Sequence, residues 1–139
     1  MTPPEQAKRR LLREWLRKAD ADMAVAEHLL SDETPFSEAV CFHCQQAAEK
    51  YLKALLVWRE VDFPKTHDLE ELLDLAETLN RHVAATLRDT IVLTPYGVEL
   101  RYPGDRPDAT SAQAREAVEL ARLVRDKILP LLPEPPDSA

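Results

Sequence analysis

The scarcity of glycine is the feature that most restricts what this chain can fold into. Only two glycines occur in 139 residues, and the sequence contains no Asn-Gly, Asp-Gly or Gly-Gly pair. Those pairs favour the tight turns of β-hairpins, which a β-rich fold needs in number. The sequence therefore favours helices. A chain of this length is expected to form one domain over residues 1–139, with residues 133–139 as a frayed tail.

Apolar residues recur at steps of three and four, the spacing of one face of an α-helix. This pattern predicts a first helix over about residues 4–30 and a second over about residues 35–59. For the second helix we expect Thr34 to be the N-cap and Pro35 the first helical residue, where the missing N–H of proline costs little.

Three further segments complete the helical pattern. Thr66 is expected to cap a third helix, and the fourth segment should kink or break near Pro95 and Gly97. Thr110 and Gln113 have the spacing of a capping box at the start of the last helix. Short connections between such helices predict an all-α fold, an up-and-down antiparallel helical bundle of about five helices.

Charge and hydropathy limit where the protein acts. The net charge of −7 opposes non-specific binding to nucleic acid or an anionic membrane, although a local basic patch could overrule it. No apolar stretch approaches the roughly 18 residues of a membrane span, and the first twenty residues lack the apolar core of a signal peptide. We predict a cytoplasmic protein without a membrane partner, and its two cysteines are expected to be free thiols.

A reactive-looking segment, CFHCQQAAEKYLKALL, occupies residues 41–56. Its Cys-x-x-Cys motif with an internal histidine is found in zinc and redox sites. Structural zinc needs four ligands, however, and the sequence has no second cysteine pair. The motif also falls about two turns inside the predicted second helix, whereas redox motifs begin a helix. We therefore predict no metal and no cofactor, and we interpret Cys41 and Cys44 as small core residues.

The other side of the same helix is polar. At about 100° per residue, Gln46, Glu49, Lys50 and Lys53 cluster opposite the predicted core side and should face water or another molecule. Phe42 and Val57 are apolar members of that side. A helix that is apolar on more than one side usually has more than one partner, so we predict a homo-oligomer, a dimer or higher.

Three motifs in order resemble one family. The segments FHCQQAAEKYLKALL, FPKTHDLEELL and LRYPGD resemble the HEPN domain (higher eukaryotes and prokaryotes nucleotide-binding domain), whose members carry an FHAQQAAEKALKALL-type helix, a THDL helix start and a closing RYPD-type segment. The resemblance covers about residues 11–125. It implies a five-helix up-and-down bundle, in agreement with the periodicity.

The resemblance also implies two possible activities. Many HEPN proteins are similar to RNA-cleaving toxins, in which an Arg-x4–6-His motif from two subunits forms a metal-independent ribonuclease site. They are often paired with a minimal nucleotidyltransferase encoded nearby. In this sequence none of the four histidines has an arginine five to seven positions before it. A metal-free ribonuclease needs a group that moves protons near neutral pH, and histidine is suited to this task. We therefore predict no catalytic residues.

The leading interpretation is an interaction protein. The resemblance implies a partnership with a minimal nucleotidyltransferase in a two-component, toxin–antitoxin-like system, and it implies binding of a nucleotide or RNA. We assign that binding role to five residues: Lys50, Lys53, Lys65, His67 and Arg101. Two simpler interpretations stay open, because Lys53 could merely pair with Glu49 one turn earlier and Lys50 could point to solvent. The alternative function is a ribonuclease toxin that uses Arg101 with a histidine from outside the motif, such as His67.

Overall fold

The computed structural model describes residues 2–30, 35–97, 103–104 and 107–133. In these ranges the chain is helical without any strand, which confirms the all-α class. Among the same residues, no helix combines the length and apolarity that crossing a bilayer requires. The α-helices described are α1 (Pro3–Leu29), α2 (Ser37–Trp58), α3 (Leu69–Glu77), α4 (Arg81–Thr86) and α5 (Ser111–Ile128). A 3₁₀ segment, Arg88–Gly97, follows α4, and a short 3₁₀ turn, Leu129–Leu131, follows α5.

Helix α2 lies at the centre of the bundle. It packs against α1, α3, α5 and the segment Arg88–Gly97, and fourteen of its 22 residues are buried. Helices α1 and α2 are antiparallel, because Lys8 lies over the ring of Trp58 while Asp22 contacts His43. Helix α5 packs on both of them, antiparallel to α1. Because α2 is enclosed on several sides, some of its polar residues are buried in the interior and the others lie nearer the surface.

The first two helices differ in how well their starts were predicted. Helix α1 confirms the predicted range, and its N-cap Thr2 accepts a hydrogen bond from the N–H of Glu5. Helix α2 begins later than expected, at Ser37. Pro35 lies in a turn before the helix, and the N-cap residue Phe36 makes no side-chain cap bond. Thr34, the expected cap, lies outside the described residues.

The caps of α3 and α5 give one correction and one confirmation. The expected cap Thr66 is not the N-cap of α3; that position is Asp68, whose carboxylate accepts the N–H of Glu70 at 3.0 Å. A carboxylate is the stronger acceptor at the positive end of a helix, and the Thr66 hydroxyl instead accepts the N–H of Asp68. At α5, Thr110 and Gln113 form the predicted capping box.

The fourth predicted segment breaks earlier than expected. Helix α4 ends at Thr86, and the chain continues as the 3₁₀ segment, with Pro95 inside it rather than at a kink. The tighter winding buries Thr90, Leu93 and Gly97. The segment packs against both α2 and α3. The break is therefore set by tertiary packing against these helices, which a proline signal alone does not reveal.

Candidate functional site

A buried carboxylate on α2 organises the first polar cluster. Glu49 is 3% exposed, and its oxygens accept hydrogen bonds from Lys53 Nζ at 2.9 Å and Gln45 Nε2 at 3.2 Å. The Nδ1 atom of His67 lies 2.7 Å from Glu49 Oε1. Residues four apart share one side of a helix, which brings Gln45, Glu49 and Lys53 into line. A buried charge is costly unless it is paired and hydrogen-bonded. The Glu49 carboxylate has the Lys53 ammonium as its counter-ion and accepts hydrogen bonds from both Lys53 and Gln45.

Gln45 joins the cluster to the neighbouring segments. Its side chain is fully buried, and Nε2 also donates to the backbone carbonyl of His67 at 3.0 Å. Its Oε1 accepts a hydrogen bond from Gln46 Nε2 at 2.7 Å. A Cβ added to Gly97 would lie 2.7 Å from the Gln45 carboxamide, so a larger residue here would displace that side chain from its hydrogen bonds.

Lys53 is enclosed rather than available. The residue is 6% exposed, and its ammonium lies 5.8 Å from the ring of Trp15 and 5.6 Å from the ring of Phe63. The two rings meet edge to face at 6.2 Å. Cation–π contacts and the Glu49 carboxylate together balance the buried charge. An ammonium held in this way cannot reach a ligand without breaking its ion pair.

A second carboxylate, on α1, organises another polar cluster. Asp22 Oδ1 lies 2.9 Å from His43 Nδ1, and Asp22 Oδ2 accepts a hydrogen bond from Lys50. Next to Lys50 on α2, the Tyr51 hydroxyl donates to Asp20. Burial, and next the bond to the Asp20 carboxylate, raises the pKa of Tyr51, so the phenol stays protonated. These contacts fix α1 against α2 through polar groups.

A half-buried strip of α2, which we call the α2 face, lies beside the Glu49 cluster and shares His43 and Lys50 with the Asp22 cluster. Two members of this face are apolar and three are polar, and they share one side of the helix by their spacing. None of them is fully exposed and none is fully buried. The α2 face consists of Phe42, His43, Gln46, Lys50 and Val57.

The structure brings only some of the predicted ligand residues together. Lys53 and His67 meet at Glu49, whereas Lys50 belongs to the separate cluster at Asp22. Lys65 is exposed and makes no ion pair within the described ranges. Arg101 lies outside the described residues. Lys53 is thus paired with Glu49, as the simpler interpretation of this residue expected. Lys50 does not point to solvent; it is half-buried and paired with Asp22.

The expectation that this side of α2 faces water or another molecule was wrong for two of its residues. Glu49 and Lys53 are buried, because α1 and the chain around Phe63 and His67 cover them. Sequence reasoning also missed Asp22 and Gln45 as members of the clusters. The four-residue spacing of Gln45, Glu49 and Lys53 was a usable signal, whereas nothing local marks Asp22 as a partner of α2.

The cysteines occupy the hydrophobic core, which confirms their structural interpretation. Cys41 and Cys44 are free thiols without solvent exposure. Burial and, next, the charge of Glu38 raise the pKa of Cys41 to about 11. Burial also raises the pKa of Cys44. Neither thiol forms a reactive thiolate near neutral pH. In the described part of the chain, no group of three or more His, Cys, Asp or Glu residues could hold a metal ion.

Comparisons with known proteins agree with the resemblance. The chain is similar to the protein TT1696 of Thermus thermophilus, known from a crystal structure, with 29% identity and a TM-score of 0.70. That similarity covers 87% of this chain and 98% of the other. No curated protein matches. The family model of the HEPN domain matches residues 12–130, most of the chain. The chain therefore belongs to the HEPN domain family.

Proposed function

We propose that this protein is a non-catalytic HEPN interaction module. It forms a homo-oligomer and binds a minimal nucleotidyltransferase as one half of a two-component, toxin–antitoxin-like system. The observation that carries the proposal is the internal pairing of the charges on α2: Lys53 is bound to Glu49 and Lys50 to Asp22. Cations that are already neutralised inside the molecule offer little to a free anion, so this side of α2 suits a protein partner better than a phosphate.

The α2 face has the composition of an interaction surface. Phe42 and Val57 supply half-buried apolar area, while Gln46 and Lys50 supply polar groups held in place by their own contacts. Protein interfaces combine an apolar core with a polar rim. Side chains that are already fixed lose little rotamer entropy when a partner binds, and this lowers the cost of association.

Co-purification tests the partner. If the neighbouring reading frame encodes a minimal nucleotidyltransferase, tagged protein co-expressed with it should elute as one complex of defined stoichiometry. Val57→Asp should abolish that complex, because it places a charge within the α2 face. The matched control is Val92→Asp, since Val92 is 58% exposed on the 3₁₀ segment and lies outside the face. A neighbouring nucleotidyltransferase that never co-purifies, or a complex that Val57→Asp leaves intact, contradicts the proposal.

Nucleotide binding at the five assigned residues stays a prediction. Titration calorimetry with ATP and GTP tests it directly, since a ligand with millimolar affinity gives measurable heat. Lys65→Gln should then weaken binding, because Lys65 has no ion pair within the described ranges. No heat at millimolar nucleotide would remove nucleotide binding from the function.

One contact favours the alternative ribonuclease function. The side chain of His67 is 68% exposed, while its Nδ1 is held by the buried Glu49. This arrangement leaves Nε2 on the outer side of the ring. A carboxylate that fixes one ring nitrogen orients the other for proton transfer. His67 could therefore take the proton of a ribose 2′-hydroxyl, with Arg101 holding the phosphate.

RNA cleavage decides between the two functions. Incubation with total RNA in EDTA should produce no fragments if the protein is an interaction module. Cleavage that survives EDTA and is lost in both His67→Ala and Arg101→Ala would establish the ribonuclease. His28→Ala is the matched control, because His28 is exposed on α1 and takes part in neither cluster.

A further inference from the structure

The charge of this acidic molecule is strongly uneven. Residues 8–18 of α1 hold six of the eighteen Lys and Arg residues and only one acid, Glu14, a local charge of +5 in a chain of net charge −7. Four of the cations are exposed. They form what we call the basic stripe: Arg10, Arg13, Arg17 and Lys18.

Few acids neutralise the basic stripe. Arg10, Arg13 and Lys18 have no ion pair within the described ranges. Arg17 is bound to Glu14 at 2.8 Å, but both side chains are more than half exposed. Such exposed pairs contribute little and exchange readily for another anion. The stripe therefore differs from the cations of α2, which are bound to carboxylates in the interior.

The placement of the stripe follows from helix geometry. Arg10, Arg13 and Arg17 follow one another at steps of three and four, so they lie along one side of α1. The opposite side, which includes Leu12 and Ala19, is buried in the bundle core. At 1.5 Å per residue the stripe extends over roughly 12 Å, a line of charge along the helix axis.

We propose that the basic stripe binds the phosphate backbone of single-stranded nucleic acid. Guanidinium groups match phosphate oxygens in a two-pronged geometry, and a row of them matches a row of phosphates. Contacts of this kind are independent of base sequence and release bound counterions. This surface is separate from the α2 face, so its role does not depend on the proposed protein partner.

An apolar groove beside the stripe favours a strand with unpaired bases. The groove has a volume of about 740 Å³, and its walls include Leu16, Leu129 and Leu132 next to Arg13 and Arg17, with the acids Glu14 and Asp20 also in the lining. Leu129 is 40% exposed. Unpaired bases present flat apolar faces, which apolar side chains can cover while cations hold the backbone. A duplex keeps its bases stacked inside and cannot use the groove.

Two other polyanions fit the stripe less well. Basic helices that bind membranes insert an apolar face into the bilayer, but the apolar side of α1 is occupied by the bundle core. An acidic protein would place the charged side chains of the stripe at the centre of its interface, where protein interfaces are depleted of charged residues. The binding experiment below tests each alternative separately, with poly-glutamate for an acidic protein and phosphatidylserine vesicles for a membrane.

Fluorescence anisotropy with a labelled 20-nucleotide single strand tests the proposal. The triple variant Arg10→Gln/Arg13→Gln/Arg17→Gln should bind at least tenfold more weakly than the wild type. The matched control, Arg81→Gln/Arg115→Gln/Lys127→Gln, makes the same change in net charge at exposed cations without ion pairs in the described ranges. Its affinity should stay within twofold. Far-ultraviolet circular dichroism and a thermal melt establish that each variant is folded.

Salt dependence and competing anions complete the test. With three to four phosphate contacts, the wild-type affinity should fall roughly 20- to 50-fold between 50 and 200 mM salt. A duplex of equal length should bind more weakly than the single strand. The proposal is overturned if the triple variant binds the strand as the wild type does, or if the duplex binds as tightly. It is equally overturned if poly-glutamate or phosphatidylserine vesicles bind with the same arginine dependence while the strand does not.

Discussion

At Glu49, one buried carboxylate holds three groups that come from different parts of the structure. Gln45 and Lys53 are its neighbours on α2, and His67 reaches it from the connection to α3. Without the carboxylate, the buried Lys53 ammonium would lose its counter-ion and the His67 ring its Nδ1 partner. The position therefore connects the packing of the bundle with the chemistry of the candidate site.

We expect Glu49→Leu to destabilise the protein by about 3–5 kcal/mol, because it leaves the buried Lys53 ammonium without its counter-ion. Urea denaturation measures the change in the free energy of unfolding. Glu71→Leu is the control, since Glu71 is exposed and without an ion pair in the described ranges, and its effect should stay within about 0.5 kcal/mol. The double variant Glu49→Leu/Lys53→Met should recover most of the loss. A loss below about 1 kcal/mol for Glu49→Leu alone would mean that the pair matters little.

The core thiols predict how stability depends on pH. Folding raises the pKa of Cys41 to about 11 and also raises that of Cys44, each from an ordinary value of 9.0. Above pH 9 the unfolded chain loses these protons while the folded chain retains them. Stability is therefore fully present below pH 9 and should decline toward pH 11. Chemical denaturation at a series of pH values measures this decline, and Cys41→Ala/Cys44→Ala should reduce its slope. An unchanged slope in that variant would assign the decline to other groups.

At the scale of elements, local signals located the helices better than their ends. The spacing of apolar residues identified α1, α2 and α5, and the capping box of α5 was readable because both partners lie within four residues. The cap of α3 depended on which of several adjacent polar residues faces the helix end, whereas α2 begins after an apolar N-cap, Phe36, that no capping pattern predicts. The end of α4 was not readable, because it is set by packing of the 3₁₀ segment against α2 and α3.

The contact between the 3₁₀ segment and α2 gives a prediction at this scale. Gly97→Ala should destabilise the protein by about 1–3 kcal/mol, because the new Cβ would overlap the buried Gln45 carboxamide. Gln45→Ala creates the space that the methyl group needs. Denaturation of both single variants and of the double variant should therefore show a double variant more stable than the sum of the single effects implies. Strictly additive effects would mean that the two positions are not in contact.

At the scale of the whole molecule, the family and the bundle could be predicted from the sequence, but the arrangement of charge could not. Lys53 reads as a surface cation on a helical projection, yet Trp15 and Phe63 enclose it from separate segments. Asp22 is twenty-one residues away from His43 in the chain and meets it only in the bundle. Partners that meet through tertiary packing leave no local pattern, which is why the candidate site was predicted only in part.

The molecule therefore has two surfaces with different chemistry. On α2 the lysines are paired with carboxylates and the α2 face is half-buried, whereas on α1 the cations of the basic stripe are exposed and mostly unpaired within the described ranges. We propose that the first binds a protein and the second a polyanion, because the lysines of α2 are neutralised inside the molecule and most cations of the basic stripe are not.

Sedimentation equilibrium at micromolar concentration tests the role of the α2 face most directly. We expect the wild type to have a mass of at least twice the 15.8 kDa of one chain, Val57→Asp to sediment as a monomer, and Val92→Asp to behave as the wild type. A wild-type protein that sediments only as a 15.8 kDa monomer, or an oligomer that Val57→Asp leaves intact, would contradict the proposed interface.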